Sequence, residues 1–157
     1  MTATIPQQTV PDTARSAAAT ALQRLLPELV ALTLDVKHAH WNVTGPRFLP
    51  LHTLTDDIAT TARTWADRVA ERVMALGFTV DARPATVASV AGRFPTGRVA
   101  DHQAITALIA LIDGVTETAR RSLDELQQVD PVAHDLTVDI LEEFGKYRWM
   151  LRAQLSA

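Results

Sequence analysis

The chain has 157 residues, of which 47% are apolar and 21% charged, with a formal net charge of −3. This is the composition of one globular domain with a single sizeable core, and its slight acidity argues against a generally basic, polyanion-binding surface. There is no cysteine, which excludes disulfides and thiolate metal sites and leaves His, Asp and Glu, donors that suit iron, manganese or zinc.

No basic segment followed by an apolar run opens the chain, and no apolar run approaches 18 residues. Neither a signal peptide nor a membrane span is expected, so a cytoplasmic location follows by default. Residues 1–12, MTATIPQQTVPD, are polar with two prolines and read as a mobile tail. A first helix builds from Thr13, with Leu22, Leu25, Leu26, Leu29 and Val36 at helical spacing, and ends near Asn42. Extended along this helix, His40 falls on the apolar stripe, the place of a packed side chain unless the last turn re-aims it. His38 lies on another face and receives no role.

Gly45 and Pro46 precede a second helix whose apolar positions are Leu51, Leu54, Ile58, Ala62, Trp65, Val69, Val73 and Leu76, with Gly77 ending it. At roughly 100° per residue from Leu51, these apolar positions stay within about 60° of zero. His52, Asp56, Asp67 and Glu71 fall at roughly 100°, 140°, 160° and 200°, a polar stripe nearly opposite the core face. Trp65 belongs to the core stripe.

Spacing constrains what that stripe can do. His52 and Asp56 are i,i+4 neighbours and can share a metal, as can Asp67 and Glu71. The two pairs are separated by roughly 16 Å at about 1.5 Å per residue, whereas ligand atoms lie about 2 Å from a first-row ion. One ion cannot reach both pairs on one straight helix. Either the pairs are unrelated residues on a solvated face, patterned with Arg68 and Arg72, or a second chain crosses antiparallel and completes two identical sites in a two-fold dimer.

Residues 77–99 carry Pro84, Gly92, Pro95 and Gly97 and form a crossover too long for a hairpin, with ATVASVA at 85–91 as one short helix. A third helix is expected from about Ala100 to Gln128, carrying Ile105, Leu108, Ile112, Val115 and Leu123 on its apolar face. A fourth begins at Asp130–Pro131 and continues through Leu136, Ile140, Phe144, Tyr147 and Leu151. Four helices, one long crossover and no convincing strand make an all-α four-helix bundle. No Glu has a His three residues later, so the intra-bundle di-iron motif is absent.

The segment KHAHWNVTGPRFLPLHTLTDD, followed by ADRVAERVMALG, closely resembles the Dps family, the ferritin-like mini-ferritins (DNA-binding proteins from starved cells). The family's K-x-x-H-W-N, H-x-x-x-D and D-x-x-x-E elements occur in order, and the resemblance covers about residues 15 to 155. It implies a ferritin-like bundle over residues 13–157. It further implies a ferroxidase site at a two-fold interface, with His40, His52 and Asp56 from one subunit and Asp67 and Glu71 from its neighbour. Trp41 is then either a wall of that site or a packing residue. Asp130, Asp135 and Asp139 lie where the family has acids lining iron-admitting pores, and acids near a helix N-terminus would look the same.

The activity implied is oxidation of Fe²⁺ to Fe³⁺ by hydrogen peroxide, or oxygen, with zinc or manganese as possible substitutes for iron. A homo-oligomer built from dimers, a dodecamer in the family, would store the ferric mineral in its hollow centre. DNA binding in the family uses lysine-rich tails. Here residues 1–20 contain one basic residue, Arg15, and Lys37 and Lys146 are the only lysines, so DNA binding through the termini is not expected. The competing reading is a nucleoid-associated, DNA-compacting protein with a vestigial metal site.

Overall fold

The computed structural model describes residues 11–155. In chain order these form α1 (Asp12–Asn42), β1 (Val43–Thr44), α2 (Phe48–Ala75), α3 (Pro84–Ala88), β2 (Val99–Ala100), α4 (Asp101–Leu126) and α5 (Pro131–Leu155). Most of the expected tail, residues 1–10, lies outside the described residues; Asp12 already belongs to α1.

The four long helices make the expected bundle. α1 packs on α2 and α4, and α4 packs on α5. Their apolar stripes meet in one core, in which Leu22, Leu29, Ile58, Ile112, Ile140 and Phe144 are fully buried. No described helix is long and apolar enough to cross a membrane.

The helix ends follow local chemistry. α2 starts at Phe48, three residues before the expected Leu51, because Pro50 fits within a first turn whose N–H groups have no intrahelical partner. At its other end the Phe78 N–H donates to the Val73 carbonyl (3.2 Å) and the Gly77 N–H to that of Met74 (2.9 Å). This paired closure needs a left-handed residue, and Gly77 supplies it at φ +90°. Pro84 opens α3 one residue ahead of the expected short helix. At the start of α5, the Asp130 carboxylate accepts the Ala133 N–H (2.9 Å).

One element departs from the expectation of no strand. β1 and β2 pair in parallel, Val43 with Val99 and Thr44 with Ala100. Two residues are too few to show the period-two pattern of a strand. The pairing arises because the exit of α1 and the end of the crossover run side by side, and it ties residue 43 to a segment over 50 residues away.

Candidate metal centre

His40 lies in the last turn of α1 and His52 in the second turn of α2. The two imidazoles stack with centroids 3.6 Å apart and planes 24° apart. Nδ1 of His40 lies 2.8 Å from the carbonyl oxygen of His52, and Nδ1 of His52 lies 3.1 Å from the carbonyl oxygen of His40. A carbonyl only accepts, so each Nδ1 carries the proton and donates. Both rings are therefore held as the same tautomer, with the lone pair left on Nε2, the arrangement that a histidine uses when Nε2 ligates a metal.

The surroundings reinforce this. Thr55 is fully buried; its hydroxyl donates to the Leu51 carbonyl (2.7 Å), and its oxygen lies 3.3 Å from His40 Nδ1 as a second acceptor. Phe48 covers His52 with centroids 5.1 Å apart. His40 is only 8% exposed, in keeping with its place on the apolar stripe. Burial and ligand-like orientation are compatible because its neighbour on α2 is another imidazole.

Asp56 stands one turn beyond His52 on the outer face of α2, where it accepts a hydrogen bond from Lys37 Nζ (2.6 Å). That ammonium group holds the Asp56 carboxyl below the ordinary aspartate range. Lys37 also lies 5.6 Å from the Trp41 ring centroid. Trp41 is 69% exposed, so it does not pack into the core of its own chain. Trp65 is buried as expected, with the Arg68 guanidinium over its ring.

Asp67 and Glu71 are exposed at the far end of α2 and do not join this group. Among the described residues, no three His, Asp or Glu side chains of one chain converge as a metal cage. Asp67 instead borders an open groove of about 530 Å³ floored by Leu26, Val30, Ala66 and Ala70. The structure thus brings together His40 and His52, sets Asp56 beside them, and leaves Asp67 and Glu71 apart.

Two further residues belong to the site's surroundings. Thr55 follows His52 by three residues, one helical turn, and Lys37 precedes His40 by the same spacing, but only the tertiary structure shows that they act across to the other helix. Asp130 is buried, paired through both oxygens with Arg72 (2.8 and 2.6 Å), and caps α5. Of the two readings of Asp130, these contacts favour the helix-terminal one. His38 packs edge-on against Phe94 with centroids 6.1 Å apart.

Comparison with known proteins agrees with this architecture. The ferritin-like domain matches residues 19–157. The DNA protection during starvation protein of Mycolicibacterium smegmatis is 33% identical over 150 residues, covering 93% of this chain and 81% of that protein. Among solved structures, Dps from Microbacterium arborescens in a high iron form has a TM-score of 0.90 at 33% identity, covering 95% of this chain and 99% of that one. Dps from Mycobacterium smegmatis has a TM-score of 0.89 at 32% identity, covering 100% and 90%. With its bundle, its crossover and relatives matched over most of their length, the chain belongs to the Dps family of ferritin-like proteins.

Proposed function

We propose that this protein is an iron-storing ferroxidase whose sites form between two copies of the chain, with His40, His52 and Asp56 from one and Asp67 and Glu71 from the other. The observation that carries the reading is the reciprocal His40–His52 pair, which leaves a lone pair on Nε2 of each ring, with Asp56 one helical turn beyond His52. One chain thus supplies two paired imidazoles, and the two carboxylates that would complete a site lie farther along the same helix.

Two observations support the dimer. First, Leu34 and Trp41 lie seven residues apart and so on one face of α1. Leu34 is 55% and Trp41 69% exposed, an apolar surface that a second copy would cover. Second, the midpoint between the His52/Asp56 and Asp67/Glu71 pairs falls near Thr61. The outward residues there are Thr60, Arg63 and Thr64. A two-fold axis at that point lays each acidic pair over the other chain's histidines.

Iron is the substrate. Neutral imidazoles and carboxylates bind Fe²⁺ while leaving coordination positions open to an oxidant. The carboxylates favour the product, because anionic oxygen stabilises Fe³⁺ more than Fe²⁺. With hydrogen peroxide as oxidant, each of two ferrous ions gives one electron. The O–O bond is then cleaved by two electrons to the level of water, and no hydroxyl radical is released. The ferric product passes to a mineral store inside a closed assembly, the dodecamer of the family, which protects the cell from peroxide and free iron together. The high iron form of the Microbacterium arborescens neighbour is consistent with such storage.

The test is anaerobic Fe²⁺ oxidation by hydrogen peroxide, followed by absorbance, in wild type and in Asp67→Ala/Glu71→Ala. Loss of the fast phase with the assembly intact on a sizing column is the expected result. Equal rates in both would overturn the shared-site reading and redirect attention to DNA compaction.

A further inference from the structure

The carboxylate of Asp101 is buried at the start of α4, 54 positions along the chain from the residue whose backbone it holds. The N-terminus of α2 has no side-chain cap of its own. The Phe48 N–H turns back to the Gly45 carbonyl (3.0 Å), and just before the helix the Arg47 N–H donates to Oδ2 of Asp101 (2.9 Å). Oδ1 of the same carboxylate accepts the His102 N–H (2.7 Å), so one side chain joins the entry to α2 with the first turn of α4. These bonds hold Asp101 ionised, below the ordinary aspartate range, with the Arg47 N–H the largest cause.

The contact is built into the corner. A Cβ placed on Gly45 would lie 2.9 Å from Cγ of Asp101, and Gly45 has φ +122°. Glycine there permits both the turn and the approach of the carboxylate. The parallel bridge of Val43 with Val99 and Thr44 with Ala100 adds a second tie, and the Thr44 hydroxyl donates to the Val99 carbonyl (3.3 Å) as a third. All three ties join residues 43–47 to residues 99–101.

That corner is the only covalent path between the two imidazoles. His40 lies two residues before the end of α1, and His52 lies four residues after the start of α2. Each Nδ1 must meet the other residue's carbonyl at 2.8 or 3.1 Å, and hydrogen bonds weaken steeply beyond such distances. A shift of α2 by about 1 Å would take both contacts beyond hydrogen-bonding range.

We propose that Asp101 is a positioning residue for the His40–His52 pair: by holding the entry to α2 from across the bundle, its carboxylate sets where His52 meets His40. It touches neither ring and acts through the backbone of Arg47. The role rests on the metal-site reading given above.

Asp35 supplies a matched control. It is likewise buried and its carboxylate accepts two backbone N–H groups, those of Gly92 and Arg93 (3.0 and 3.2 Å), but it holds the middle of the crossover instead of the corner. Asp101→Ala, Asp101→Asn and Asp35→Ala are compared in the full chain after sizing. Two readouts are used: amide hydrogen exchange by mass spectrometry, and the visible absorption of Co²⁺ as a redox-inert probe. Asp101→Ala is expected to speed exchange across residues 39–55, to change the Co²⁺ bands and to raise the half-saturating Co²⁺ concentration about 10-fold, the scale on which outer-shell partners act. Asp101→Asn retains one acceptor oxygen and is expected to fall between, and it carries the same test if Asp101→Ala does not assemble. Asp35→Ala is expected to speed exchange near residues 89–94 while leaving the Co²⁺ bands at wild type.

Wild-type exchange and Co²⁺ bands in the Asp101 variants would overturn the proposal, as would an equal change of the bands in Asp35→Ala. A wild-type chain with no Co²⁺ bands that His52→Ala removes would overturn the metal-site reading, and this role with it. Bands that depend on His52 but not on Asp101 would overturn the role only.

Discussion

Lys37 Nζ lies 2.6 Å from Oδ1 of Asp56, so an ammonium group occupies the carboxylate beside the His40–His52 pair. A metal cation bound by Asp56 must compete with that ammonium for the same oxygen. Lys37→Gln is therefore expected to tighten divalent-ion binding by about twofold to fivefold, the factor a partly exposed ion pair supports. Titration with Co²⁺ measures this; unchanged or weaker binding would mean that Lys37 moves aside freely or helps to hold the site.

The same pair makes a prediction about pH. The carboxyl of Asp56 is depressed in the folded state, so the stabilisation it contributes is present above the unfolded aspartate value of about 3.9. It is lost as pH falls through the still lower folded value. The difference in melting temperature between wild type and Asp56→Asn should be constant from about pH 5 to 8 and should close only below about pH 4. A difference that varies between pH 6 and 8 would point to a coupled group other than this carboxylate.

Asp130 and Arg72 predict a purely structural effect. Asp130→Ala would remove a buried carboxylate that takes two bonds from Arg72 and caps α5. Breaking one side of a buried pair costs about 3–5 kcal/mol. Chemical denaturation should show a loss of this size, while the initial rate of Fe²⁺ oxidation per intact assembly stays at wild type. A slowed rate at unchanged stability would instead assign Asp130 to iron entry.

The proposed two-fold crossing can be tested directly, because the sequence has no cysteine. Thr60→Cys places one thiol near the axis on each chain. A short bismaleimide is expected to convert most of the protein to a covalent dimer on a denaturing gel. Gln103→Cys, exposed on α4, serves as the control. Cross-linking of the control but not of Thr60→Cys would rule out the antiparallel crossing.

The sequence by itself determined the four helices, since apolar side chains recurring every three or four residues can be buried together only as helical stripes. It also required that Asp67 and Glu71 lie too far from His52 and Asp56 to serve the same ion on one chain, because the rise per residue sets that separation whatever the tertiary structure. The tertiary structure decided everything that depends on where the chain returns. His40 lies on an apolar stripe and reads from sequence as a packed residue; only the approach of α2 makes its neighbour a second imidazole and fixes both tautomers. Asp101 and Asp130 gave no local sign of their work beyond their places at helix starts, because their partners Arg47 and Arg72 lie 54 and 58 residues away. The bridge of β1 with β2 left no periodic trace because each strand has only two residues. Helical periodicity is a local property that a stretch of sequence carries within itself, whereas hydrogen bonds between distant residues exist only once the core has packed and brought their elements together.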